Sequence, residues 1–382
     1  MDHSVLFAQT PAALPDILAD IERLVSCESP SNDLAAVARS ADVVAELGTA
    51  QLGAVPEQIV FDGVRHLRWR FGPGPTCVLL LGHHDTVWPI GSLTAHPVGV
   101  TDGVLRGPGC FDMKAGLVMA MHAAAALPDP SGVTLLITGD EEAGSPTSRE
   151  LIETEASGCT AALVLAASAD GGALKTERKG VSRYEVHIQG RAAHAGLEPW
   201  RGVNADVELA HQILAVQALA DPAQQTSVVP TAMSAGTTAN TVPAQGRLSV
   251  DARVRSVTEQ VRLDTAIRAL RPVLPGAGLE ITGGPNHPPL EARSSADLFD
   301  RAARLAARLG LAPLTSTAVG GASDGNFTVG IGTPTLDGLG AVGGGAHSDD
   351  EHVFVGELPG RTALLTALLS DLLRPAGAPL PY

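Results

Sequence analysis

Apolar residues recur along the first half of the chain with the two periods that helices and strands require. Residues 14–26 and 34–52 carry the spacing of amphipathic helices, and the alanine-rich residues 114–127 predict another helix. Short apolar runs without alternation are typical of parallel strands buried on both faces. They occupy residues 77–81, 133–138 and 162–166. Strands that alternate with helices predict an α/β fold with a mixed, mostly parallel sheet.

The pattern changes near Gly180. Residues 182–189 alternate strictly, with Tyr184, Val186 and Ile188 on one side, as in a strand buried on one face. The segments that follow predict, in order, a helix at 203–219, strands at 226–235 and 246–255, a helix at 258–273 and a strand at 279–282. This order is that of the ferredoxin-like α+β unit. We therefore predict one domain in two parts, residues 1–180 and 288–382, interrupted by an inserted domain at 181–287.

Composition excludes several classes of partner. The net charge of −15 argues against nucleic acid, because phosphate binding needs a basic surface. No apolar run is long enough to predict a membrane span. Residues 1–10 lack the features of a signal peptide, and the four cysteines are scattered without a CxxC pair. We expect reduced thiols and a cytoplasmic protein.

Residues suited to binding a metal ion follow the predicted buried strands. His83 and Asp85 are two residues apart, so in an extended chain their side chains point the same way. One can then bind a metal ion while the other orients it. Adjacent carboxylates repel unless a cation compensates them, so one of Glu141 and Glu142 can bind a metal while the other accepts a proton from water. Asp112 lies in a glycine-bracketed turn, and His347 follows three glycines. This combination of nitrogen and oxygen ligands predicts a hydrolytic metal site.

Several motifs occur in a recognisable order along nearly the whole chain. They are GHHDTV at 82–87, GPGCFDMKAG at 107–116, DEEAGS at 140–145, GRAAHAG at 190–196, NTVP at 240–243 and the late His347. The set resembles the co-catalytic zinc metallopeptidases that include glutamate carboxypeptidase, acetylornithine deacetylase, succinyl-diaminopimelate desuccinylase and aminoacylase, with the glutamate carboxypeptidase branch most similar. The resemblance implies a phosphorylase/hydrolase-like catalytic domain and an inserted ferredoxin-like domain that forms a homodimer.

The resemblance also implies a role for each matching residue. The ligands of two zinc ions would be His83 and Asp112 for the first, and Asp112, Glu142 and His347 for the second. Asp85 would stand behind His83, and Glu141 would be the general base. His194 would reach the partner subunit's active site and stabilise the oxyanion, and Asn240 would line the same region. Arg253 would grip a substrate carboxylate, the alternative being an exposed salt bridge within the sheet.

The chain departs from the family at Ala166, where a Glu or Asp usually completes the first metal site. A methyl group binds no metal, and nothing in the sequence positions Asp170 or Cys110 as a substitute. The favoured function is hydrolysis of an amide bond beside a free carboxylate in a small peptide or an N-acyl amino acid. Two alternatives stay open: an acyl transferase or amide-forming enzyme on the same fold, and a catalytically silent binding protein.

Overall fold

The computed structural model describes residues 13–74 and 76–374. Its helices are α1 (Leu14–Val25), α2 (Leu34–Leu52), α3 (Ser92–Ala95), α4 (Ala115–Ala125), α5 (Arg149–Ala156), α6 (Ala205–Gln217), α7 (Val257–Arg268), α8 (Ala296–Arg308), α9 (Gly325–Gly330) and α10 (Leu358–Leu372). Its strands are β1 (Glu57–Phe61), β2 (Val64–Arg70), β3 (Val78–His83), β4 (Gly99–Thr101), β5 (Val104–Arg106), β6 (Val133–Thr138), β7 (Ala161–Val164), β8 (Leu174–Arg178), β9 (Gly180–Gln189), β10 (Ala193–His194), β11 (Ser227–Ala235), β12 (Thr241–Val242), β13 (Gln245–Val254), β14 (Gly278–His287), β15 (Ser316–Val319), β16 (Thr335–Leu336), β17 (Gly343–Gly344) and β18 (His352–Phe354).

A six-stranded sheet forms the centre of the first unit, in the order β1-β2-β6-β3-β7-β16. Strands β6, β3, β7 and β16 pair in parallel, and β1 and β2 add an antiparallel edge. Successive residues of β3 point to opposite faces: Leu80 joins the core cluster under α4 and α10, whereas Leu79 and Leu81 pack in the cluster with α5 and α9. The predicted α/β fold with a mixed, mostly parallel sheet is confirmed.

The carboxyl ends of β3, β6 and β7 lie at one edge of this sheet. His83 is the last residue of β3 and stands opposite Thr138, the last residue of β6. Ala166 follows β7, and the backbone around it is closely packed. A Cβ on Gly116 would lie 2.2 Å from the carbonyl oxygen of Leu165, and one on Gly340 would meet the same atom. Glycine is therefore required at both positions.

The second unit comprises Arg178–Glu291 and Gly320–Ala322, and the remaining described residues form the first. Its sheet has the order β11-β13-β9-β14, and its elements follow the ferredoxin-like sequence. Tyr184, Val186 and Ile188 are buried against α6 and α7, on the face that their alternation predicts.

Two of the four cysteines are not free thiols. The structure joins Cys77 to Cys159 as a disulfide, with Cα atoms 4.5 Å apart. The expectation of reduced thiols is therefore wrong for this pair and holds for Cys27 and Cys110. The pairing arises because β3 and β7 are parallel neighbours with Val78 opposite Ala161, which brings the residues just before these strands together. Among the described helices, none has the length and apolar character that crossing a membrane requires.

Candidate metal centre

His83 presents one ring nitrogen to the scaffold and the other to two carboxylates. Its Nδ1 lies 3.0 Å from the carbonyl oxygen of Asp85, and its Nε2 lies 3.8 Å from both Asp112 Oδ1 and Glu141 Oε2. Burial disfavours the imidazolium, but Glu141, Asp112 and Asp85 outweigh it and raise the pKa of His83 well above its usual value. This concentration of negative charge favours a cation at His83, either the proton of an imidazolium or a bound metal ion.

Asp85 holds the segment that carries the paired glutamates. Its Oδ1 accepts a hydrogen bond from the amide of Glu141 at 3.2 Å, and its Oδ2 accepts one from the amide of Glu142 at 3.1 Å. Ser31 Oγ donates to Oδ2 at 2.6 Å. Burial opposes the charge of Asp85, yet the contacts with His83 and Ser31 lower its pKa. Asp85 therefore orients the glutamates as well as standing behind His83.

Asp112, Glu142 and His347 converge on one point. His347 Nε2 lies 2.9 Å from Glu142 Oε1 and 3.5 Å from Asp112 Oδ2. Hydrogen bonds to Asp112 and Glu142 raise the pKa of His347 to about 10. Burial works against ionised Asp112, but His347 and His83 hold the pKa of its carboxyl well below the usual range. Each of the three residues offers a ligand atom within 4.8 Å of the others.

Glu141 lies next to this point without being one of the three. Burial, together with the charges of Asp324, Glu142 and Asp112, raises its pKa well above the usual value, against the opposing effect of His83. A carboxyl group whose proton affinity is raised is suited to accepting a proton. Glu141 also forms a second set of ligand atoms within 4.8 Å, with His83 and Glu142.

Ala166 brings no ligand to the His83 side of the centre. It is 6% exposed, and its carbonyl oxygen accepts a hydrogen bond from the amide of Gly340 at 3.0 Å. Neither proposed substitute joins the ligand sets found among the described residues: Asp170 is exposed, and burial raises the pKa of the Cys110 thiol. An ion beside His83 would therefore have to draw on Glu141, the candidate base.

Two buried acids of this region were not predicted from the sequence. Glu351 is 3% exposed and accepts hydrogen bonds from the amides of Gly109, Phe111 and Asp112, so it shapes the turn that carries Asp112. Asp324 is also 3% exposed and bonds to Ser145 and Thr138. Glu351 ends an acidic run that is typical of an exposed loop, so local sequence gives no signal of its burial.

The remaining predicted residues lie in the second unit. His194 and Asn240 are exposed and lie on adjoining segments, since β10 pairs with β12 and the amide of Ala195 donates to the carbonyl of Asn240 at 2.9 Å. Arg253 donates from Nε to Asp251 Oδ1 at 2.9 Å and from Nη1 to the carbonyl of Gly320 at 3.2 Å. The salt bridge that was the alternative for Arg253 is thus present.

Known proteins are similar to this chain in both sequence and fold. The sequence model of Peptidase family M20/M25/M40 matches residues 79–371. The chain is 30% identical to carboxypeptidase G2 of Pseudomonas sp. (strain RS-16) over 387 residues, 97% of this chain and 92% of that protein. It is 31% identical to succinyl-diaminopimelate desuccinylase of Granulibacter bethesdensis over 392 residues, 94% of this chain and 99% of that protein.

Solved structures agree on the fold. The M20 family metallo-carboxypeptidase Sso-CP2 from Sulfolobus solfataricus matches with a TM-score of 0.73 and 14% identity, covering 94% of this chain and 99% of that one. The Bacillus subtilis YXEP protein, a dinuclear metal binding peptidase, matches with a TM-score of 0.64 and 15% identity, covering 95% and 99%. The family match spans most of the sequence and includes every candidate ligand, and the chain therefore belongs to peptidase family M20/M25/M40.

Proposed function

We propose that this chain is a zinc-dependent hydrolase of an amide bond beside a free carboxylate, acting on small peptides or N-acyl amino acids. The observation that carries the proposal is the convergence of Asp112, Glu142 and His347 next to the carboxyl of Glu141. Two proteins similar in sequence, a carboxypeptidase and a desuccinylase, carry the names of hydrolases of this kind. A cytoplasmic location is part of the same proposal.

The residues present fit one zinc ion. Asp112, Glu142 and His347 supply two oxygens and one nitrogen, and three protein ligands leave a position open for catalysis. When bound, zinc polarises the scissile carbonyl and makes water acidic enough to lose a proton near neutral pH. Glu141 accepts that proton on a carboxylate oxygen and returns it to the nitrogen of the leaving amine. Asp85 keeps Glu141 in place by accepting the hydrogen bond of its amide.

A second zinc ion does not fit in the same way. His83 and Asp112 remain on that side, but Ala166 offers only a methyl group and Glu141 is needed as the base. We expect one tightly bound zinc and at most a weak second ion. Ala166 is also the observation that favours a second candidate function, a binding protein or acyl transferase that uses the same cleft without efficient hydrolysis.

We assign substrate binding to three residues of the second unit. Arg253 would hold the substrate carboxylate once its guanidinium leaves Asp251, which exchanges one carboxylate partner for another. His194 would act in the active site of a partner subunit in a homodimer, with Asn240 beside it. Their exposure leaves both side chains available for such a contact.

Turnover of N-acyl amino acids tests the proposal. We expect hydrolysis of N-acyl-glutamate, loss of activity after chelation, and its return when zinc is added. Capping the carboxylate as an ester should weaken binding. Metal binding without turnover of any N-acyl amino acid would favour the binding protein, and transfer of the acyl group to an added amine would favour the transferase.

Mixed dimers test the role of His194. Inactive His194→Ala and Glu141→Ala subunits should regain part of the activity on mixing, because each hybrid dimer holds one intact composite site. If subunit exchange is demonstrated and no activity returns, His194 does not act in the partner's site. Should the natural chain be inactive, the same test is run with Ala166→Glu present in both subunits.

A further inference from the structure

A buried acid with no assigned role lies beside the segment that carries the paired glutamates. Asp324 precedes α9 and is 3% exposed. Its Oδ1 accepts a hydrogen bond from Ser145 Oγ, and its Oδ2 accepts one from Thr138 Oγ1 at 3.1 Å. Within the described residues, no Lys, Arg or His forms an ion pair with it. A buried carboxylate without a cation is unfavourable for stability, so stability alone does not account for an acid here.

The two hydroxyl donors lie at the two ends of residues 139–144, the segment that carries the paired glutamates. Thr138 is the last residue of β6, and Ser145 closes the turn that follows it. Residues 139–144 lie between them and include Glu141 and Glu142. One carboxylate therefore connects both ends of this short segment, while Asp85 holds the amides in its middle.

Ser145 adopts a conformation that needs support. Its φ of 57° lies in the left-handed region, which is unfavourable for a residue with a Cβ. Its amide donates to the carbonyl of Asp140 at 2.9 Å, and its hydroxyl donates to Asp324. The bond to Asp324 thus helps to stabilise the turn immediately after the glutamates.

We propose that Asp324 is a positioning residue for Glu141, acting through Ser145 and Thr138. By fixing both ends of residues 139–144, it keeps the carboxylate of Glu141 facing His83, where Glu141 Oε2 lies 3.8 Å from His83 Nε2. The proposal rests on the proposed function only in taking Glu141 as the base. The positioning itself is a property of the fold and is measurable without turnover.

Two substitutions remove the contact from opposite sides. Asp324→Ala deletes the acceptor, and Ser145→Gly deletes the donor. Because glycine adopts the left-handed conformation of residue 145 without strain, Ser145→Gly is expected to fold. Asp324→Asn is the conservative variant, because its amide keeps one oxygen as an acceptor. The matched control is Glu155→Gln: Glu155 is a buried acid of the same unit that pairs with Arg68 and Arg70 and contacts neither hydroxyl.

Hydrogen exchange of the full chain gives the readout independent of activity. We expect the amides of Glu141 and Glu142 to exchange at least about tenfold faster in Asp324→Ala and Ser145→Gly, because the segment opens more often. Glu155→Gln should leave them unchanged. Equal exchange in all four proteins, the natural chain included, would overturn the proposal. Faster exchange in a chain without hydrolase activity would support the positioning and refute the proposed function.

Kinetics of the active chain tests the consequence for Glu141. We expect kcat to fall about 10- to 100-fold in Asp324→Ala, the effect of a small misplacement of a catalytic group, with KM changed by less than about twofold. Asp324→Asn should recover part of kcat. Since Ser145→Gly breaks one of the two contacts that Asp324→Ala removes, the double variant should be no worse than Asp324→Ala. An unchanged kcat, or losses that simply multiply in the double variant, would contradict the assignment.

Discussion

Replacing Glu351 by Gln should lower the free energy of unfolding by more than a substitution at an exposed loop position would. Glu351 Oε1 accepts from the amides of Phe111 and Asp112 at 2.9 and 3.0 Å. Its Oε2 accepts from Trp88 Nε1 at 2.6 Å and from the amide of Gly109 at 2.9 Å. All four partners are donors, so the NH₂ group of Gln would face two donors and accept from neither.

The magnitude follows from those two contacts. A buried donor that loses its acceptor costs about 1–3 kcal/mol, so two lost contacts should lower the free energy of unfolding by about 2–6 kcal/mol. Domains of this kind are stable by roughly 5–15 kcal/mol, which makes the loss a large fraction. Because the amide of Asp112 is one of the four donors, zinc affinity should fall as well.

Urea unfolding of the metal-free proteins measures the loss. The control is Asp349→Asn, two residues away, whose side chain is 90% exposed. We expect the control to lie within about 0.5 kcal/mol of the natural chain, as exposed substitutions usually do. The midpoint for Glu351→Gln should fall with an unchanged slope. A Glu351→Gln midpoint equal to that of the control would refute the reasoning, since the four contacts would then contribute nothing.

Four other predictions follow from the centre and its surroundings. Zinc analysis after dialysis should give fewer than two tightly held ions per chain, and Ala166→Glu should raise the number; two ions held at nanomolar affinity by the natural chain would show a replacement ligand. Glu141→Ala should lower the rate by about 10²–10⁴-fold with zinc content unchanged, whereas Glu142→Ala should lose zinc; equal zinc loss in the two variants would show that the pair is wrongly assigned. Arg253→Ala should weaken substrate binding by about 1.5–3 kcal/mol, measured by titration, with little further loss when the substrate carboxylate is capped. Burial raises the pKa of Asp324 from 3.8 to about 7, so the folded state binds the proton more tightly than the unfolded state. The stability contributed by this group is therefore present below pH ~4 and lost as pH rises to ~7, and Asp324→Asn should remove about 4 kcal/mol of that pH dependence in chelated protein.

Elements with a strong local signal were predictable. The helix expected at 34–52 spans Leu34–Leu52, begins at an Asp33 side chain that accepts two amide hydrogen bonds, and ends at Gly53 with a φ of 66°. The strand expected at 133–138 is Val133–Thr138, with every residue buried. Residues at the carboxyl ends of such strands were predictable for the same reason, because parallel strands end at a common edge.

Elements without a periodic signal were missed. Leu358–Leu372 is a helix buried nearly all round, so its apolar residues show no single face. Glu57–Phe61 and Val64–Arg70 form an antiparallel hairpin whose exposed and charged residues obscure the strand pattern. Glu351 and Asp324 were missed because the donors that allow an acid to be buried come from distant parts of the chain, such as Gly109 for Glu351 and Thr138 for Asp324.

The hydrogen bonds of Asp85 and Glu351 have a consequence for how the chain responds to losing its ion. Asp85 fixes the amides of the paired glutamates, and Glu351 fixes the amide of Asp112, so protein groups alone order these ligands. Folding and metal binding are then separate equilibria, unlike those of zinc fingers, which are unfolded without metal. Zinc should raise the melting temperature only as far as its concentration exceeds its dissociation constant. An alanine at position 166 can therefore alter the metal chemistry of the site while the fold persists.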